Sequence, residues 1–190
     1  MALDLATELQ HKLAECARSL SPAFGAVRWV RPEAIHLTLL FLGDTPEERL
    51  DDLTAAVSAA VAGQAPVPCV VKGIGVFPDT RRPLVLWAGI AAGGEALGRL
   101  AAQVRDTLGE SGFGSQDRPF AAHVTIGRIR SRTGRVRPDA VQDALKRWSE
   151  THFGSFAGDH MTLYASTLTP AGSRYDALRL WPLAALPACS

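Results

Sequence analysis

The stretches "HLTLLF", residues 36 to 41, and "HVTIGR", residues 123 to 128, write one pattern twice, His-aliphatic-Thr-aliphatic, 87 positions apart (123 − 36). A strand sends successive side chains to opposite faces. His36 and Thr38 therefore share a face, with Ile35, Leu37 and Leu39 on the other. In the second copy His123 and Thr125 share a face, opposite Ala122, Val124 and Ile126. Each strand thus has an apolar side that a helix can cover and a side that pairs an imidazole with a hydroxyl. The repeat gains a meaning if the chain folds as two similar halves, related by an approximate two-fold axis that lets the two pairs face each other across a cleft.

The segments around the two copies support such a fold. Residues 4 to 20 place Leu5, Leu9, Leu13, Ala17 and Leu20 at helical spacing. "VRWV" and "IHLTLLFLG" read as strands, the second closed by Gly43. "TPEERLDDLTAAVSAAVAG" reads as a helix with Thr45 as N-cap, Pro46 at its first position and Gly63 as its stop. Two strands, "VPCVVKGIGVF" and "PLVLWAGI", flank the turn "PDTRR". A helix over roughly 95 to 110, the strand "FAAHVTIGRI" and a helix opening at Pro138 follow. "HMTLYASTL" and "RYDALRLWPL" close the chain as a strand pair about the turn "TPAGS". No linker or low-complexity segment divides this order. The expectation is an α+β fold of two pseudo-symmetric lobes, each an antiparallel sheet with helices packed outside, with the active-site cleft between them. Residues 1–190 are expected to form one bilobal domain.

Composition sets outer bounds. With 190 residues, 47% hydrophobic and 21% charged, the chain can bury a sizeable core, and disorder is disfavoured. No apolar run approaches the ~18–20 residues that span a bilayer, and the start "MALDLATELQHKLAEC" does not read as a signal peptide. Cys16, Cys69 and Cys189 are odd in number and lack metal-ligand spacing, so a reduced, cytoplasmic protein is expected. The net charge of +1 announces no nucleic-acid binder, yet 17 of the 20 basic residues are Arg, five of them in "RIRSRTGRVR" over residues 128 to 137. Such a cluster suits phosphate and reads equally as a solvated loop.

Two imidazoles near one point can divide proton transfer, one as base and one as acid, because the unperturbed histidine pKa of ~6.5 lies near neutrality. Two hydroxyls and an arginine can donate to the non-bridging oxygens of a phosphoryl group. In-line cleavage of a phosphodiester needs that set and requires no metal. A histidine-rich metal site competes with this reading, but neither strand carries Cys, Asp or Glu at ligand spacing, and Thr is a poor zinc ligand. His11, His152 and His160 lack the paired Thr and read as surface or structural residues.

On these residues the chain resembles the RNA 2′,3′-cyclic phosphodiesterases, also called 2′-5′ RNA ligases, of the two-histidine phosphoesterase superfamily. "RWVRPEAIHLTLLFLGD", "GVFPDTRRPLVLWAGI", "RPFAAHVTIGRIR" and "LYASTLTPAGSRYDALRLWPL" follow the family's order along nearly the whole sequence. The resemblance implies metal-independent opening of a 2′,3′-cyclic phosphate to a 2′-phosphomonoester, without a cofactor, and 2′-5′ ligation in reverse. It implies His36 as general acid, His123 as general base, and Thr38 and Thr125 on the phosphoryl oxygens. Arg128, five residues after His123, would contact phosphate. Phe41, five after His36, would stack on a nucleobase, and Tyr175 in "GSRY" is a further substrate-binding candidate. Strict alternation sends a +5 residue to the wrong face, so Phe41 and Arg128 need a bulge or a strand end to reach the cleft. Relatives usually open with a strand before "Leu-Asp-Leu". Here Met1 directly precedes "ALDL", so the expectation is either a misassigned start or a short first strand, with the stability of the sheet edge in question. The expected partners are RNA with cyclic-phosphate ends or small cyclic nucleotides, with no membrane, and the chain itself is expected to be a monomer. The alternatives are a phosphodiesterase for small nucleotides such as ADP-ribose cyclic phosphate, a non-catalytic RNA-binding module, and a metal-dependent hydrolase.

Overall fold

Strands rich in β-branched and aromatic residues pair antiparallel here, and helices with one apolar stripe cover them. The computed structural model describes residues 1–24, 27–114, 119–129, 138–169 and 172–184. Their order is β1 (Ala2–Asp4), α1 (Thr7–Phe24), β2 (Val27–Trp29), β3 (His36–Thr38), α2 (Leu50–Val61), β4 (Val67–Phe77), β5 (Val85–Ala92), α3 (Gly94–Glu110), β6 (His123–Ile129), α4 (Pro138–Trp148), β7 (His152–Gly158), β8 (His160–Thr169) and β9 (Gly172–Pro182). Among the described residues, one curled sheet runs β7-β4-β5-β6-β3-β1-β8-β9, and β2 pairs with the far end of β6.

The fold is α+β and two-lobed, and the seam between the lobes is the β3–β6 ladder. On one side lie β6, β5, β4 and β7; on the other lie β3, β1, β8 and β9. The lobes are not the two halves of the chain. β4, from the first half, pairs with β5, while β8, from the second, pairs with β1. The helix α1 follows β1 yet packs on β6, β7 and α4, whereas α2 and α3 pack on each other. Leu3, Leu37, Val124 and Met161 are fully buried on one face of the central strands, where α1 adds Leu13, Leu20 and Phe24 to the same core.

Several local expectations change. The first helix starts at Thr7, because Ala2–Asp4 form a strand. That strand is short, three residues, but it is paired on both sides, with β3 and β8, so it is no sheet edge. The strand predicted over 35–43 stops at Thr38, since the Leu39 and Leu40 amides both donate to the Met1 carbonyl, at 3.0 and 3.3 Å. Thr45 caps no helix. A 3-10 turn, Glu47–Arg49, follows Pro46, and α2 starts at Leu50 without a side-chain cap. Strand β7 was not expected. Val71 opposes Gly154 and Lys72 opposes His152, so Phe153 sits in an irregularity that interrupts the period-two pattern.

Candidate active site

Leu37 and Val124 are Cα partners in the β3–β6 ladder, and both are fully buried. One step along each antiparallel strand puts His36 beside Thr125 and Thr38 beside His123, all on the opposite face. Directly opposed Cβ atoms lie about 4.5–5.5 Å apart and diagonal ones about 7–8 Å. The imidazoles therefore occupy two opposite corners of a four-residue patch and the hydroxyls the other two. The two motifs meet along a shared ladder at the seam between the lobes.

Each ring is held from behind in a similar way. Nδ1 of His123 lies 2.7 Å from the Ala121 carbonyl oxygen. A carbonyl only accepts, so Nδ1 carries the hydrogen and, in the neutral ring, Nε2 keeps its lone pair. The His36 ring is hydrogen-bonded to the carbonyl of Ala34, also two residues upstream. Aromatic rings flank both. Tyr164 stacks on His36 at 5.4 Å between centroids, and Tyr175 meets it edge-on at 4.7 Å. Phe77 meets His123 edge-on at 5.1 Å and packs on Trp87.

Burial, above all, holds the His36 pKa below the ordinary histidine value; the Met1 amino group and Arg128 push the same way, while Asp4 and the Ala34 carbonyl oppose them. In the free chain, His36 is expected to titrate below about 6.5 in a histidine NMR titration. Binding of inorganic phosphate should move it upward, because an adjacent anion favours the imidazolium. A titration at or above the ordinary value in the free protein would contradict this electrostatic picture.

Arg128 reaches the patch by a bulge, one of the two routes that its spacing from His123 left open. Across β5–β6, Trp87 opposes Thr125 but Leu86 opposes Gly127, so Ile126 is an extra residue and the side-chain phase shifts by one. Arg128 is exposed and lines two recesses of about 640 and 600 Å³. Phe41 lies beyond the end of β3, is 56% exposed and borders both recesses. The smaller recess contains Thr38, His123 and Thr125; the larger contains Tyr164 and Ser166. Thr38, Phe41, His123, Thr125 and Arg128 thus line the smaller recess, while His36 and Tyr175 line neither recess: His36 stands across the ladder from Thr125, and Tyr175 lies against the His36 ring. The rest of the predicted arginine cluster, residues 130–137, lies outside the described residues, as do Cys189 and the centre of the "TPAGS" turn, residues 170–171.

The residues that sequence reasoning missed stand behind the histidines. Asp4 is the Cα partner of His36, and its carboxylate accepts hydrogen bonds from Tyr164 and Thr162. The signal was a lone carboxylate between two leucines in "LDL". Trp87 and Gly75 support the His123 side. A Cβ on Gly75 would lie 2.1 Å from Trp87 Cζ2, a rigid ring already packed on Phe77. Gly75→Ala is therefore expected to displace the indole and to lower stability by about 1–3 kcal/mol, read by urea unfolding and tryptophan fluorescence. Unchanged stability and emission would show that the ring has room to move. His11 and His152 are exposed, and His160 lies 2.6 Å from the Asp159 carboxylate, in keeping with surface roles. Cys16 and Cys69 are buried, which pushes their thiols up to about 12 and about 11. No helix among the described residues is long and apolar enough to cross a membrane.

With this geometry in hand, the chain can be set beside known proteins. A family model described as LigT like phosphoesterase matches it twice, over residues 3–87 and 90–175. An RNA 2′,3′-cyclic phosphodiesterase of Archaeoglobus fulgidus is 35% identical over 95% of this chain and 97% of its own. One of Thermus thermophilus is 35% identical over 96% of this chain and 88% of its own. The crystal structure of E. coli LigT complexed with 3′-AMP superposes with a TM-score of 0.73 at 27% identity, covering 96% of this chain and 95% of that one. Each of the two matches contains one copy of the histidine motif, at His36 and at His123, and the chain belongs to the LigT-like phosphoesterase family.

Proposed function

We propose that the chain hydrolyses the 2′,3′-cyclic phosphate at RNA ends to a 2′-phosphomonoester by metal-independent acid–base catalysis. The observation that carries this reading is the four-residue patch at the β3–β6 seam, with imidazoles on one diagonal and hydroxyls on the other. Water attacks phosphorus in line with the bond to O3′. Nε2 of His123 takes a proton from that water, and His36 gives a proton to O3′ as the P–O3′ bond breaks. The products are a 2′-phosphate and a free 3′-hydroxyl. Thr38, Thr125 and Arg128 donate to the non-bridging oxygens, where charge grows in the transition state. Phe41, exposed at the mouth of both recesses, offers a face to a nucleobase, a contact worth about 1–3 kcal/mol, and Tyr175 holds the His36 ring from its edge. A 5′-hydroxyl in place of water gives a 2′-5′ linkage with the same two proton transfers.

The test is incubation of a cyclic-phosphate oligonucleotide with the protein in excess EDTA, with the product identified by 31P NMR. A 2′-phosphate is expected, and its absence would sink the proposal. A second reading takes small cyclic nucleotides as substrate. It is favoured by solved structures of E. coli LigT in complex with 3′-AMP, NADP+ and ATP. Competition between a cyclic-phosphate oligonucleotide and ADP-ribose cyclic phosphate separates the two. Preference for the oligonucleotide is expected, because two recesses border Arg128.

A further inference from the structure

A carbonyl two residues upstream holds each ring alike, but the other neighbours of the two histidines differ. Behind His36, Asp4 is its Cα partner across β1–β3, so the two side chains share a face and stand side by side. The Asp4 carboxylate is held at both oxygens: Tyr164 donates its hydroxyl to Oδ1 at 2.6 Å, and Thr162, 1% exposed, donates to Oδ2 at 2.7 Å. Neither donor brings a charge, and no ion pair among the described residues includes Asp4. Its negative charge is therefore fixed in place and left for the neighbouring imidazole. Tyr164 also lays its ring on His36, 21° from parallel, presenting a π face to a cation. Behind His123 stand the Ala121 carbonyl and the edge-on Phe77 ring, and no described carboxylate hydrogen-bonds to it.

We infer that Asp4 and Tyr164 form a positioning pair that breaks the two-fold equivalence of the site and assigns the proton-donating role to His36. This rests on the proposed two-histidine mechanism and adds to it the residues that decide which imidazole is the acid. The charged and titratable groups that face His36 are Asp4 from β1, Tyr164 from β8, Tyr175 from β9, Arg128 and, on the diagonal of the patch, His123 from β6, and the Met1 amino group. Burial above all, then the Met1 amino group and, less, Arg128 disfavour an imidazolium, and Asp4 is the one carboxylate that opposes them. Tyr164 is not itself the donor, because burial, reinforced by its bond to Asp4, holds its hydroxyl well above the ordinary tyrosine range.

The test combines Asp4→Asn, which keeps the shape and removes the charge, with His36→Ala and their double variant. Asp4→Asn is expected to lower the His36 titration point by NMR. It should also lower kcat at neutral pH by about tenfold for each unit of that shift, with KM little changed. In the His36→Ala background it should cost nothing further, because it acts through that ring. Tyr164→Phe, which keeps the ring and removes one hydrogen bond, should give a smaller shift in the same direction, and it stands in if Asp4→Asn fails to fold. A variant that loses stability while His36 titrates unchanged and kcat is retained would overturn the inference and leave Asp4 a structural residue. Near-normal turnover by His36→Ala would overturn the mechanism and the inference together, whereas an inactive His36→Ala beside a silent Asp4→Asn overturns the inference alone.

Discussion

His36→Ala and His123→Ala are each expected to lower kcat by about 10²–10⁴-fold, the share of one general acid or base. Without His36 the ribose O3′ must leave as an alkoxide; without His123 water must attack with its proton in place. Both side chains are half-buried on the face away from the core, so the loss of turnover should occur without loss of fold. The double variant should be little worse than either single one, because groups that act as a unit are not additive. A phosphodiester with a nitrophenolate leaving group separates the roles. Nitrophenolate departs without a proton, so it should restore much of the turnover of His36→Ala and little of that of His123→Ala. Equal rescue of both would contradict the division of labour, and near-normal turnover of either on the cyclic phosphate would remove that residue from the mechanism.

The second large effect concerns the other diagonal. Thr38 and Thr125 are half-buried, and among the described residues neither hydroxyl has a hydrogen-bond partner, so both are available to an incoming anion. Thr38→Val and Thr125→Val keep the size and the strand preference of the residue and remove the donor. Each is expected to lower kcat by about 10²–10³-fold, the range for one oxyanion donor. Thr→Ser at either position should keep most of the activity, since it retains the hydroxyl. Valine variants with full activity would show that the threonines serve the strand alone.

Much of this was legible in the sequence because it depends on strand periodicity. The reach of β4, Val67–Phe77, coincides with "VPCVVKGIGVF", and the shared face of His36 and Thr38 follows from alternation alone. The odd spacing of Arg128 from His123 called for a bulge or a strand end if Arg128 is to reach the cleft, and a bulge occurs at Ile126. What stayed hidden depends on contacts between distant parts of the chain. The Asp4–Tyr164 bond joins residues 160 positions apart, and no local pattern marks it. The interleaving of the halves, with β4 in one lobe and β8 in the other, leaves the order of elements along the chain unchanged. Strand β7 escaped notice because its irregularity at Phe153 and its glycines erase the alternation that reveals a strand. At Thr45 the cap chemistry was favourable, yet the chain enters α2 through a 3-10 turn after Pro46.

The central claim is that one phosphorus atom sits over the β3–β6 seam between two imidazoles. A crystal structure of the protein with inorganic phosphate or a 2′-nucleotide tests it most directly. The account predicts the phosphorus between His36 and His123, with both threonine hydroxyls on its non-bridging oxygens and Arg128 alongside. An anion bound away from the seam, or rings too far apart to approach the phosphorus from opposite sides, would contradict it.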